Sequence, residues 1–339
     1  MVRVKLRFAG GLQVVFSDRE RALRQVEELA ERGTHKPVLI YGPEGCGKTA
    51  LLRQAFEILK EWGYGVIYYS PAEWAGGRLL TTEDLRELAR GVAEVLNLPA
   101  AVLDKLLELA ARAVRLGRGR VAVLLDDVFQ AVGVDRAEHL VKALLNFIEY
   151  PPRDYERVVV LAASSEGTTR RRVGRHRWAE LRVMWNMPRA GFGELLSQIP
   201  PPKPDLDTAW RLTGGNPDLA GELAAGGWDV GWAVAKIAAE RRIRELAASL
   251  SQRQRAVLQE ALEDPDAVEK HMAEEGAEAL KLVEALVDRN LIIDWLPERE
   301  GRLWIDEPPP ERDPVIGVGK SFAWQTPLHR EAVRKALTP

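Results

Sequence analysis

Gly42-Pro43-Glu44-Gly45-Cys46-Gly47-Lys48-Thr49 is the stretch on which the reading of this sequence turns. It fits the pattern G-x-x-x-x-G-K-[ST] of a phosphate-binding (Walker A) loop. Pro37–Tyr41 (PVLIY), just before it, is apolar and bounded by proline and glycine, as a buried parallel strand would be. Just after it, Leu51, Leu52, Ala55, Phe56 and Leu59 recur at helical spacing between Lys48 and Trp62. Strand, glycine loop and helix therefore follow without a gap. In that context the backbone N–H groups from Gly42 to Ala50 wrap phosphate oxygens, and the helix N-terminus adds its dipole. Lys48 is expected to reach the β- and γ-phosphates of ATP or ADP, and the Thr49 hydroxyl to ligate Mg²⁺.

Working outward, Gly65–Ser70 reads as a second strand and Val121–Asp127 as a third, apolar until it ends in two aspartates. Val158–Ser164 and Glu180–Met184 supply a fourth and a fifth. Helical stretches at Glu83–Leu96, Ala101–Leu116 and Ala137–Glu149 alternate with them, which implies a parallel sheet covered on both faces. Open sheets of this kind bind ligands beyond the carboxyl ends of their strands. Asp126 is accordingly expected to hold the metal through water, and Asp127 to orient the attacking water as general base. Ser164 and Ser165 either touch the γ-phosphate or the lytic water, or simply turn the chain.

The 339 residues predict more than one domain. The proline-rich Pro200–Pro204 reads as a linker. We expect a nucleotide-binding α/β domain over 1–199, helices over 200–246 interrupted at Gly214–Pro217, and a last domain over 247–339. That last domain reads as three helices near Gln252–Leu262, Asp266–Glu274 and Ala277–Arg289. A hairpin of Leu291–Leu296 with Arg302–Ile305 follows, then a strand near Ser321–Trp324 and a final helix, the pattern of a winged helix. Trp295, Trp304 and Trp324 are expected in its core.

Apolar residues at 46% and charged residues at 29% describe a globular chain, and a net charge of −2 gives no overall footprint for nucleic acid or anionic membrane. One cysteine, Cys46, excludes an internal disulfide framework. No apolar signal core and no membrane span are legible, so a cytoplasmic location is expected.

Two further motifs carry a resemblance. Phe16-Ser17-Asp18-Arg19-Glu20 resembles the hydrophobic-Gly-Arg-Glu motif of archaeal P-loop ATPases in the STAND/AAA+-related group, with Asp18 where that family usually has glycine. Leu212-Thr213-Gly214-Gly215-Asn216-Pro217 looks like the family's lid motif, whose proline packs near the adenine. The likeness implies a five-stranded parallel sheet in the order 5-1-4-3-2, a helical lid over the base and a C-terminal winged helix. It also implies that Arg19 and Pro217 lie by the nucleotide.

Partners are harder to read. The basic cluster Arg170, Arg171, Arg172, Arg175, His176 and Arg177 fits an arginine finger, a nucleic-acid contact or a solvated face. From Glu245 to Pro339 there are 19 acidic and 12 basic residues, which disfavours DNA for that segment. A switch acting on protein partners is the expectation. A DNA-associated initiator or loader, and a nucleotide-gated scaffold with little turnover, are the alternatives.

Overall fold

The computed structural model describes residues 2–71, 78–81, 119–129, 137–150, 155–164, 170–171 and 173–338. The chain opens with an antiparallel pair, β1 (Lys5–Arg7) and β2 (Gln13–Val15), followed by helix α1 (Glu20–Arg32). Then come β3 (Val38–Tyr41), helix α2 (Lys48–Glu61), β4 (Gly65–Ser70) and β5 (Arg78–Thr81). Next are β6 (Arg120–Asp126), a helix over Ala137–Glu149, β7 (Arg157–Ser164) and β8 (Glu180–Val183). Contacts divide the chain into two compact units, one of Met1–Val4, Glu20–Tyr41 and Lys48–Arg182, the other of Lys5–Arg19, Gly42–Gly47 and Val183–Pro339.

In the first unit the sheet order is β5-β4-β6-β7-β3-β8. Read from β8 to β4 this is the expected 5-1-4-3-2 order of five parallel strands. Every residue of β3, β4 and β6 is buried except Arg120, which is why these strands read as unbroken apolar runs rather than as alternations. Leu39, Val123, Leu140, Leu144 and Val160 belong to one apolar cluster. The extra strand β5 pairs antiparallel to β4. Its Arg-Leu-Leu-Thr has no periodicity of its own, so only the pairing makes it a strand. The helices expected at Glu83–Leu96 and Ala101–Leu116 lie outside the described residues.

The second unit is mostly helical, and its helix starts are written in the sequence. Asp205, Asn216, Asp229, Ser251 and Thr326 each accept a backbone N–H at the head of the helices Leu206–Thr213, Pro217–Ala225, Val230–Glu240, Gln252–Glu263 and Pro327–Leu337. The interruption at Gly214–Pro217 is a left-handed stop at Gly214 and a proline restart. A second break, at Gly226–Asp229, was not expected. The Pro200–Pro204 segment is pinned by Lys203, whose ammonium donates to the carbonyls of Leu196 and Ile199 at 2.7 and 2.5 Å. Leu219, Leu223 and Ile237 share one core with Leu258, Leu282, Trp324 and Leu328.

The C-terminal end departs from expectation in two places. The helices Gln252–Glu263, Ala267–Glu275 and Ala277–Asp288 form as read. The hairpin does not: β9 (Ile292–Ile293) pairs with β10 (Ala323–Trp324). The Arg302–Ile305 stretch instead forms a 3₁₀ turn at Gly301–Leu303, and Trp304 then bridges to Val183. Trp304 and Trp324 are fully buried, but Trp295 is 48% exposed at a left-handed backbone position, its ring tilted against Phe322.

Candidate functional site

In the first unit the sheet register sets the candidate chemistry. Tyr41, the last residue of β3, pairs with Ser164, the last of β7, and Asp126, the last of β6, pairs with Ala163. Three neighbouring strands, each about 4.8 Å from the next, thus end together. Ser164 and Asp126 are both 2% exposed. Asp127 follows at φ 46°, a left-handed turn that aspartate tolerates, and its N–H donates to the carbonyl of Ala163 at 3.1 Å. Lys48 and Thr49 open α2; Lys48 is 5% exposed and Thr49 and Ala50 are half-buried. The basic cluster is divided. Arg170 is buried, its guanidinium over the Tyr41 ring at 5.3 Å, whereas Arg175 and Arg177 are exposed and His176 stacks on Trp178. Arg172 and Ser165 lie outside the described residues.

In the second unit the loop Gly42–Gly47 is held by side chains from distant segments. Arg19, 3% exposed, donates to the carbonyl of Cys46 at 2.7 Å and to that of Trp185 at 3.1 Å. The same guanidinium pairs with Asp306, itself 1% exposed, at 2.7 Å. Asn216 donates to the carbonyl of Glu44 at 2.8 Å and to the Asn186 side chain at 2.9 Å. The N–H of Glu44 donates to the Gln325 side chain at 2.9 Å, and the Glu44 carboxylate takes Arg241 and Asn290. At Gly45 (φ 74°) a Cβ would stand 2.5 Å from that of Asp218, and at Gly42 it would overlap the carbonyl of Met184. Neither position has room for a side chain. Pro43 and Cys46 are buried, and Pro217 is half-buried at the head of its helix.

Arg19, expected by the nucleotide, is engaged with the loop's own backbone and with Asp306. Asp306, Gln325 and Asn186 were not foreseen. The only trace of Gln325 in the sequence is its place between an apolar strand and the Thr326-Pro327 helix start. Asp18 and Arg19 stand consecutively at φ 54° and 65°, the region that suits glycine. A Cβ on Gly191 would collide with the Asp18 carboxyl, so the bulk gained at one position is matched by its absence at the other. Burial, then the nearby charge of Asp306, raises the Asp18 carboxyl above its usual range.

The loop, the strand-end carboxylates and Gly214–Pro217 follow one another along the chain within one stretch, and that stretch has a family match. The family of ATPase domains found predominantly in Archaea matches residues 16–223, more than half of the chain. The chain belongs to this family. As an ATPase-family chain it has no curated relative that matches in sequence. Among solved structures it resembles the ORC2 protein of Aeropyrum pernix (ADPNP-ADP complexes), with a TM-score of 0.42 and 14% identity over 94% of both chains. It also resembles CDC6P from Pyrobaculum aerophilum, at 0.37 and 15% over 94% of this chain and 93% of that one. AMPPCP-bound DnaA from Aquifex aeolicus gives 0.37 and 17% over 79% and 82%. At such scores these likenesses add nothing to what the ATPase's own sheet order and loop already show.

The donors present fit Mg²⁺. Among the described residues no group of three or more His, Cys, Asp or Glu could hold a metal alone. Thr49 and Asp126 would offer hard oxygen, and Mg²⁺ suits a site with one or two protein oxygens, phosphate and water completing the shell. No helix among the described residues is long and apolar enough to cross a membrane.

Proposed function

We propose that the chain binds ATP on Gly42–Thr49 and hydrolyses it with Mg²⁺, using the cycle to shift a lid (200–246) and a winged-helix tail (247–339) toward protein partners. The observation that carries this reading is the hold on the loop. Its backbone is gripped by Asn216 from the lid segment, by Gln325 from the tail and by Arg19, which Asp306 of the tail holds in turn. A loop that rearranges around phosphate will disturb those contacts, so lid and tail differ in what they touch in the two nucleotide states.

In the chemical step Lys48 neutralises charge gathering on the β- and γ-oxygens. Asp127 orients the attacking water and accepts its proton, and Ser164 hydrogen-bonds the γ-phosphate or that water. Thr49, and Asp126 through water, would hold Mg²⁺, which would supply further charge neutralisation when bound. Arg19 and Pro217 act at the edge of the nucleotide, Arg19 through the Cys46 carbonyl.

The test is ATP turnover by the purified chain, with and without duplex DNA at two salt concentrations. We expect turnover that Lys48→Ala abolishes, that Asp127→Asn stalls with binding retained, and that DNA leaves unchanged. Asparagine also tolerates a left-handed backbone, so the second variant keeps the turn while removing the charge and turning one acceptor oxygen into a donor. Wild-type turnover in Lys48→Ala would contradict the site. Stimulation by DNA that fades with salt would favour the initiator reading instead.

A further inference from the structure

Tyr68 stands in the middle of β4, fully buried, and its hydroxyl donates to Oδ2 of Asp126 at 3.0 Å. The register explains the meeting. Tyr68 pairs with Leu124 on β6, and Asp126, two residues on, shares the face of Leu124. The tyrosine ring therefore needs only to lean along the strand by about 6.6 Å to reach the carboxylate. A buried phenol seeks an acceptor, so the contact satisfies the ring. It also does something to the acid. An ionised carboxylate only accepts hydrogen bonds, and a buried one has few orientations of equal energy once an oxygen is held. Backbone pairing fixes where the Asp126 Cα stands; the phenol holds one of its carboxylate oxygens.

We propose that Tyr68 is a positioning residue which sets the orientation of the Asp126 carboxylate toward the nucleotide-bound Mg²⁺. The inference rests on Asp126 serving the metal, as in the proposed function. Partners that orient a metal-binding group without touching the metal contribute about 10- to 100-fold in metal affinity. Tyr68 differs from Lys48 and Asp127 in that its loss leaves the phosphate-binding loop and the candidate base in place.

Binding of Mn²⁺ in the presence of ADP, followed by electron paramagnetic resonance, tests this beside the wild type. Tyr68→Phe removes one oxygen atom and should weaken Mn²⁺ about 10-fold. Binding of a fluorescent ATP analogue in EDTA should stay unchanged. p-Aminophenylalanine at position 68, which keeps a donor, should restore most of the metal affinity. Unchanged Mn²⁺ binding in Tyr68→Phe, alongside weakened binding in Asp126→Asn, would overturn the role of Tyr68 and leave that of Asp126 standing. Unchanged Mn²⁺ binding in Asp126→Asn would instead remove the metal role of Asp126, and the inference with it. Loss in Tyr68→Phe that p-aminophenylalanine does not restore would show packing rather than donation and equally overturn the proposal. So would a chain that melts cooperatively only with the donor present, since that places the hydrogen bond's role in the fold.

Discussion

The ends of the central strands and the glycine loop after β3 are held by different means. Asp126, Asp127 and Ser164 take their places from backbone pairing: β6 runs beside β7 in continuous register, and the N–H of Asp127 extends that ladder by one bond. The loop lacks a ladder. Its Cys46 carbonyl and both backbone groups of Glu44 are taken by side chains from residues 19, 216 and 325, with Asp306 behind the first. A ladder shares its load over many equivalent bonds, whereas each loop contact is singular. Substituting Asp306, Asn216 or Gln325 should therefore act on the loop and leave the backbone of the strand ends in place.

The largest effect is expected at the buried ion pair. Removing one partner leaves a charge in a site that water does not reach, at a cost of about 3–5 kcal/mol. Asp306→Ala should lower the urea midpoint accordingly, while the Tyr68–Asp126 contact persists. A loss below about 1 kcal/mol, the scale of an exposed pair, would mean that the two carbonyls satisfy Arg19 without it.

Asn216 comes next. It caps the helix Pro217–Ala225 through the Leu219 N–H and also spans Glu44 and Asn186. Replacement by alanine should cost about 1–2 kcal/mol and loosen the loop. Thermal melting with and without ATP separates the two, since loss of the cap alone would lower both midpoints equally.

Asp18 should give the smallest change, and in the opposite direction. Its carboxyl is raised by burial and by Asp306, so the stability it contributes is fully present below the unfolded aspartate value and is lost as pH rises through the folded one. Asp18→Asn keeps the shape against Gly191 without the charge. It should be more stable than the wild type at neutral pH, with the gap closing as pH falls through the Asp18 value. A gap independent of pH would assign the effect to something other than ionisation.

The same contrast explains what could be read without coordinates. The strands follow from buried apolar runs and the Walker A pattern, their order follows from the family resemblance alone, and the strand-end acids follow from where those runs stop. The contacts that grip the loop join residues hundreds of positions apart and leave no period or spacing. Gln325 and Asp306 look like ordinary polar residues of a tail. The pairing of the wing is illegible for a related reason. Ile292–Ile293 finds its partner at Ala323–Trp324, while the intervening Trp304 is drawn to Val183, and no local pattern chooses between those two uses of an apolar tryptophan. Residue type alone puts Trp295 in the core, whereas it stands at a left-handed backbone position and is nearly half exposed.

The central claim is that the tail feels the state of the loop through the bond from Glu44 to Gln325. Hydrogen exchange of the backbone amides from Phe322 to Leu337, with and without ATP, tests it most directly. Exchange there should change on nucleotide addition in the wild type, and the response should vanish both in Lys48→Ala and in Gln325→Ala. A tail whose exchange ignores ATP while the loop itself responds would contradict the account.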